Sequence, residues 1–489
     1  MKLVITGHAY RYEIENICRL FFPQYDIGTD SDGIIVTSTL AENGGIVLLR
    51  GEVTAGGRTL AAEESIEPCA GFDKECERML AVILYDLFVE ILDRPLDWGA
   101  VTGVRPVKLL RRMGEQLGDE SAAEWMRDAL RVSDKKLKLC RRTLQIENRL
   151  LELSRPDSFS LYIGIPFCPT RCDYCSFVSH TVQRAGKLIP DYVNCLCREL
   201  EQTAEIARGL GLRLETVYMG GGTPTTLTAE QMAQVLGTVE RHFDLSAVRE
   251  YCVEAGRPDT VDKEKLHVIR GHGVGRISIN PQSLSDTVLE AIGRKHTEKQ
   301  FYDAFELARQ CGFEHINADL IVGLPGDSEE GFARSLDGLM ELSPEGITVH
   351  ALAMKRASNL VSGGRESYEG GEQAVRMVDY SAAALDARGY RPYYLYRQSR
   401  AAGNMENVGW SKLGFEGLYN VFIMDETHSI FGCGAGAVTK LRQPDGEYLE
   451  RVFNYKFPYE YIDRFDDMLE RKKLAGEACR RIMKRKEWA

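Results

Sequence analysis

From Asp157 onward the sequence repeats one pattern six times: a short apolar run, then a longer stretch with apolar residues three and four apart. The short runs are "LYIGIPF", "ETVYMGG", "EYCVEAG", "RISINPQ", "NADLIVGLP" and "GITVHALAM". Between them lie amphipathic segments such as "DYVNCLCRELEQTAEIARGL", "AEQMAQVLGTVERHF" and "EKQFYDAFELARQCGF". Strand then helix, repeated, predicts a parallel sheet joined by helical crossovers. The expected fold is α/β, a partial (β/α)6 parallel barrel over residues 157–380. Barrels of this kind put their chemistry at the carboxyl ends of the strands. Small and polar residues collect at those ends here: three cysteines after the first run, "GGGTPT" after the second, Glu254 in the third, Gln282 in the fourth and Asp319 in the fifth.

At 489 residues the chain is too long for one ordinary domain. Residues 1–70, with strand-like "KLVITG", helical "YEIENICRLFF" and alternating "GIIVTSTL" and "GIVLLRGEVT", read as a small α/β unit. Residues 71–156 read as a helical extension, and residues 381–489, of mixed pattern, as an α+β cap. Within the extension, "GVRPVKLLRR" carries Arg105, Lys108, Arg111 and Arg112. These read as a solvated helix face, and as a surface for an anionic substrate only if the segment folds over the barrel mouth. Acids outnumber bases 72 to 61, which argues against nucleic-acid and anionic-membrane partners. No apolar run nears the roughly 20 residues of a membrane helix. "MKLVITGHAY" turns polar too soon for a signal peptide, so the expected location is cytoplasmic.

The cysteines number thirteen, an odd count in a long chain without a secretion signal, and are read as reduced. Most are scattered singly, as with Cys18, Cys140, Cys252 and Cys311, where a small buried hydrophobe suffices. Cys168, Cys172 and Cys175 differ, because they crowd one polar loop, "FCPTRCDYCSF". Thiolates at this spacing suit zinc or an iron–sulfur cluster. A structural zinc usually closes its shell with a second pair, and the chain has no second Cys-x2-Cys. Three ligands suit a [4Fe–4S] cluster with one iron left open to a further ligand.

"CPTRCDYC" has the Cys-x3-Cys-x2-Cys form of the radical S-adenosylmethionine (SAM) enzymes. The surrounding "YIGIPFCPTRCDYCSF" resembles the oxygen-independent coproporphyrinogen III oxidase branch, in its HemZ-type coproporphyrinogen dehydrogenase form. "GGGTPT", "VEAGRPDT", "PQS", "GRKHT" and "DLIVGLP" follow in the family's order, from about Ser160 to Leu352. The resemblance implies that Cys168, Cys172 and Cys175 hold three irons of a [4Fe–4S] cluster and that SAM chelates the fourth. It implies cofactor contacts from Tyr162, Tyr174, Gly221, Gly222, Thr223, Glu254, Gln282, Arg294 and Asp319. Among these, Glu254 would meet the amino group, Arg294 the carboxylate and Asp319 the ribose hydroxyls.

The chemistry so implied is reductive cleavage of SAM to a 5′-deoxyadenosyl radical. That radical would take hydrogen from a substrate propionate, with loss of CO2 and one electron giving a vinyl group. Two rounds convert coproporphyrinogen III to protoporphyrinogen IX, in haem biosynthesis, with an electron-donor partner. Three departures bear on the branch. Phe177 stands where the oxidases carry a fourth cysteine, and Gly164 where they carry a histidine. "ENVGW" (residues 406–410) stands where the related haem chaperones have "HNxxYW". The alternatives on the same scaffold are a haem chaperone and a radical enzyme acting on another tetrapyrrole.

Overall fold

The computed structural model describes all residues except 24, 26, 29–32, 70, 356–370, 445, 447 and 485–489. Contacts group the described residues into two units, one comprising Met1–Leu144 with Leu395–Glu406, the other most of the remainder.

The first unit carries a four-stranded sheet of β1 (Lys2–Thr6), β2 (Ile35–Asn43), β3 (Ile46–Ala55) and β4 (Arg58–Ile66), in that order. β1 and β2 run parallel and the remaining pairs antiparallel. The helices Arg11–Phe21 and Phe72–Leu92 pack on it through Ile17, Phe21, Leu84 and Phe88 against Val36, Leu49 and Val53. β4 has no apolar alternation and most of its residues are exposed. Its charges, Arg58, Glu63 and Glu64, suit an edge strand that must not recruit another chain. Three further helices follow, Pro106–Leu117, Asp119–Leu130 and Asp134–Leu151. Arg105, Lys108 and Arg111 are half-buried at the first of these and Arg112 is exposed.

The second unit is built on the six apolar runs, all of which form strands: β5 (Ser158–Ile165), then, after the two-residue strands β6 (Phe167–Cys168) and β7 (His180–Thr181), β8 (Arg213–Gly221), β9 (Glu250–Glu254), β10 (Arg276–Ser278), β11 (His315–Val322) and β12 (Gly346–Ala351). The order β12-β11-β10-β9-β8-β5 is parallel throughout. Helices fill the crossovers, and four of them start at side-chain caps. Thr228 and Thr297 form capping boxes with Gln231 and Gln300, while Asp262 and Ser328 each accept one amide.

The barrel does not close on itself. The C-terminal strands β13 (Arg391–Arg397), β14 (Glu406–Ser411), β15 (Ser429–Cys433), β16 (Val438–Arg442) and β17 (Leu449–Phe453) extend both edges, giving eleven strands in the order β13-β14-β12-β11-β10-β9-β8-β5-β15-β16-β17. β15 runs parallel to β5, so β5 is bonded on both sides.

A buried polar network holds that junction. Glu199, on the helix Ile189–Gly209, accepts from Gly434 N (2.7 Å), Asn454 Nδ2 (2.7 Å) and Tyr461 Oη (2.6 Å), and pairs with Lys472 Nζ at 3.1 Å. Tyr192, on the same helix, donates to Gly164 O (2.6 Å) and accepts from Ala435 N (2.9 Å), tying the ends of β5 and β15. Removing one partner of a buried ion pair strands the other charge, at a cost of about 3–5 kcal/mol. Lys472→Met is therefore expected to lower the free energy of unfolding by about that amount. Urea denaturation measures it, and a change under about 1 kcal/mol would show that the network is dispensable.

Candidate functional site

The cysteine loop is pinned at its root. Phe167 and Cys168 of β6 pair with His180 and Thr181 of β7, and His180 N donates to Pro166 O at 2.8 Å, closing residues 169–179 into one loop. Inside the loop Cys175 N donates to Cys172 O (3.1 Å) and Asp173 N to Ile292 O (3.0 Å). The loop therefore rests on the segment after the fourth strand.

The thiols sit among donors and positive charge. Thr223 Oγ1 donates toward Cys168 Sγ at 3.5 Å, and the guanidiniums of Arg257 and Arg294 each lie 3.8 Å from Cys172 Sγ. Arg257 is fixed by a two-pronged pair with Asp259, 3.0 Å on each prong. As free thiols two of these cysteines are hard to ionise: burial raises Cys168, and it pushes Cys175 up to about 11. Cys172 adds to the rise at Cys168, and Cys172 and Cys168 add to that at Cys175, so the loop brings the three near one another. Among the described residues no three His, Cys, Asp or Glu side chains are drawn to the spacing of a single-ion site. Soft sulfur donors with two guanidiniums beside them fit an anionic thiolate cluster, which displaces the protons as it binds.

The glycine edge lies directly against the loop root. Gly222 N donates to Ile165 O and Thr223 N to Phe167 O, both at 2.7 Å. A Cβ at Gly222 would lie 2.6 Å from Phe167 O, so only glycine allows this approach. Gly221 adopts φ +104°, and a Cβ there would come 3.1 Å from Tyr162 Oη.

The barrel interior supplies an acceptor wall. Tyr218 Oη donates to Glu254, and burial, with Asp319 adding repulsion, raises the Glu254 carboxyl to about 7 against the hydrogen bond's pull. Burial also acts on Asp319, but His350 outweighs it and holds that carboxyl below its usual range. His350 Nε2 lies 3.6 Å from Asp319 Oδ2, and Asn317 Nδ2 donates to Asp319 Oδ1 at 2.9 Å. His350 is raised in turn, since Asp319 and Asn407 overcome its burial; its Nδ1 lies 3.3 Å from Asn407 Oδ1. Gln282 takes a left-handed backbone, φ +68°, that bridges it to Asp319 O and Ile321 N. Its side-chain Oε1 and Asn280 Oδ1 are buried without a partner among the described residues. Unpartnered buried acceptors beside two carboxylates call for a ligand rich in N–H and O–H donors, as the ammonium, ribose and adenine of SAM are.

Tyr174 packs with Val288, Leu289, Ile292 and Ile321, an apolar bed for a planar ring. Arg294 is placed differently from the expectation of a free fork. Its Nη2 donates to Gly256 O (2.6 Å) and Asn280 O (2.5 Å), its Nη1 faces Cys172 and Tyr174 Oη, and its Nε donates to His296 Nδ1 (3.2 Å). Every guanidinium nitrogen is engaged under the loop. Tyr162 lies against the stacked pair of Tyr218 and Tyr419, 6.4 and 6.2 Å from their centroids, which are 4.5 Å apart.

Four site residues were not singled out from the sequence: Arg257, His350, Asn407 and Asn280. Strand parity offered one signal, since Asp319 registers with Thr348 on β12 and His350 lies two residues further on the same face.

Known proteins show the same pattern. The Radical SAM superfamily profile matches residues 162–339. Over 96% of its length the chain is 36% identical to the oxygen-independent coproporphyrinogen-III oxidase-like protein HemZ of Bacillus subtilis, of which 97% is covered. It is 32% identical to the heme chaperone HemW of the same organism, over 61% of this chain and 77% of that one. The solved structure of coproporphyrinogen III oxidase (HemN) from Escherichia coli, a radical SAM enzyme, superposes with a TM-score of 0.50 at 20% identity, covering 68% of this chain and 78% of that one. No helix among the described residues is long and apolar enough to cross a membrane.

Two outcomes follow from the geometry. Cys172→Ala is expected to abolish cluster retention, read as iron and sulfide per chain after anaerobic reconstitution, whereas Cys311→Ala retains it. Glu254 gives a pH dependence. Its raised value means that the stability of the buried neutral acid is full below the ordinary carboxylate range and is lost as pH rises through about 7. A cationic ammonium beside it reverses the preference, so SAM affinity should rise on the order of tenfold from about pH 6 to about pH 8. Equilibrium dialysis of cluster-loaded protein measures this. Glu254→Gln should flatten the profile, and an unchanged slope would remove Glu254 from the cofactor site.

Proposed function

Because this chain belongs to the radical SAM superfamily, in the family of the oxygen-independent coproporphyrinogen-III oxidase-like protein HemZ, we propose that it oxidatively decarboxylates two propionates of coproporphyrinogen III to vinyl groups, giving protoporphyrinogen IX. The family's cofactors are a [4Fe–4S] cluster and SAM, which when bound supply an electron and a hydrogen-abstracting radical. Each side chain loses one hydrogen atom, CO2 and one electron, the last to a one-electron acceptor.

The observation that carries the reading is the meeting, at one end of one barrel, of a three-thiol loop with an unsatisfied acceptor wall. Cys168, Cys172 and Cys175 hold the cluster, and Arg257 and Arg294 balance its charge. Gly221, Gly222 and Thr223 let backbone approach the cofactor's amino end. Glu254 receives the ammonium, and Asp319, kept ionised by His350, receives the ribose hydroxyls. Gln282 and Asn280 add acceptors, Tyr162 closes the near wall, and Tyr174 lies beside the adenine. The substrate is a tetrapyrrole by analogy with the relatives' names, which agree over nearly the whole of this chain for one of them.

Glu406 favours the enzyme over the haem-chaperone reading. It stands where the chaperones' histidine falls, and it is buried against Lys136 Nζ (2.6 Å) and Trp98 Nε1 (2.7 Å). A carboxylate neutralised in this way is a poor axial ligand for haem iron.

The test is anaerobic incubation of reconstituted protein with SAM, reductant and coproporphyrinogen III. Protoporphyrin products and CO2 are expected together with deoxyadenosine. Deoxyadenosine without CO2 would move the reading to another tetrapyrrole, and tight stoichiometric haem binding without turnover would move it to a chaperone.

A further inference from the structure

Arg257 reaches the cysteine loop from the turn that follows β9. Pro258 comes next and disfavours helical backbone at its predecessor, and Arg257 is extended, φ −123° and ψ 110°. Its carbonyl is held twice by Thr260, from N (3.0 Å) and from Oγ1 (2.8 Å). The same turn brings Asp259 to the guanidinium, where Oδ1 accepts from Nε and Oδ2 from Nη2, each at 3.0 Å. Nη1 is left for the loop. It donates to Thr170 Oγ1 (3.0 Å) and directs its other N–H toward Cys172 Sγ (3.8 Å).

The two arginines at Cys172 are not equivalent. Arg294 is tied to the side assigned to SAM, through Tyr174 Oη and the carbonyls of Gly256 and Asn280. The guanidinium of Arg257 hydrogen-bonds only Asp259, Thr170 and Cys172, none of them a SAM contact. Its side chain is 3% exposed, whereas that of Asp259 is 19% exposed. Water therefore screens the carboxylate more than the guanidinium, and the charge in contact with the sulfur is positive.

Reduction adds one negative charge to an iron–sulfur cluster, so positive charge and N–H donors at its sulfurs favour the reduced form. We propose that Arg257 is a positioning residue that raises the reduction potential of a cluster held by Cys172, acting through that sulfur and separately from SAM binding. The electron comes from a low-potential one-electron donor. This inference rests on the cluster assignment to Cys168, Cys172 and Cys175, and is independent of which tetrapyrrole is the substrate.

The experiment is a dithionite redox titration of the full-length, anaerobically reconstituted protein, followed by electron paramagnetic resonance without SAM or substrate. Arg257→Gln should lower the ratio of reduced to oxidised cluster at the parent's midpoint at least about tenfold, a shift of about 59 mV for one electron. Arg257→Lys keeps the charge but not the fork, so its midpoint should fall between those two. Thr170→Val removes the loop's bond to Nη1 and leaves the arginine's charge in place. It should change the ratio less than about twofold. Iron and sulfide per chain are read for every variant. A cluster present in the arginine variants with the parent's midpoint would overturn this inference alone. Equal shifts in Arg257→Gln and Thr170→Val would also overturn it, by showing that the arginine only braces the loop. A parent protein that retains no four-iron cluster would overturn the cluster assignment, and this inference with it.

Discussion

The hydrogen bonding of β5 on both edges is the constraint from which the site follows. A strand at the edge of an open barrel would leave its carboxyl end, and the cysteine loop hanging from it, without lateral support. Here β8 holds one side and β15 the other, with register running to Ile165 against Gly221 and to Ile163 against Cys433. Past the last ladder bond, Tyr192 takes over through Gly164 O, and its ring meets Phe167 edge-on at 5.2 Å. The loop root is thus fixed by backbone on two sides and by a buried hydroxyl beneath. Glu199 is the far anchor of the same network, buried against Lys472 Nζ at 3.1 Å.

At the acceptor wall the two carboxylates are set to different states by their neighbours. Burial, with another carboxylate nearby, raises Glu254 to about 7 despite its phenol partner. Asp319 has an imidazole, itself oriented by Asn407, and stays charged. The difference sets a carboxyl that ionises near neutrality beside one that is held ionised, on one wall.

Much of this was legible in the sequence, and what was not shares one physical cause. The six barrel strands are buried on both faces or nearly so, and their apolar runs are local properties of the chain. The cysteines and the glycine edge are legible for the same reason: their spacing is local. β4 escaped because an exposed, charged edge strand has no alternation to read. β15 escaped in a different way. "SIFGC" is readable as a strand, but its parallel pairing with β5, more than 260 residues earlier, is a long-range choice that local pattern does not encode. His350 and Asn407 belong to this class as well, meeting across β12 and β14 to orient Asp319. Arg294 was found by position, while its engagement with two carbonyls, a thiol, a phenol and an imidazole depends on four separate segments.

A cluster of three tyrosines packs the barrel interior. Tyr419 begins the helix Leu418–Asp425, whose first amides are held by Glu250 at the amino-terminal mouth. Its ring lies on Tyr218, with planes 17° apart, and Tyr218 carries the hydrogen bond to Glu254. Packed interiors transmit displacement because they have no slack to absorb it. The hydroxyl of Tyr218 lowers the Glu254 carboxyl against its burial, so the helix start held by Glu250 packs, through two rings, on the partner of Glu254.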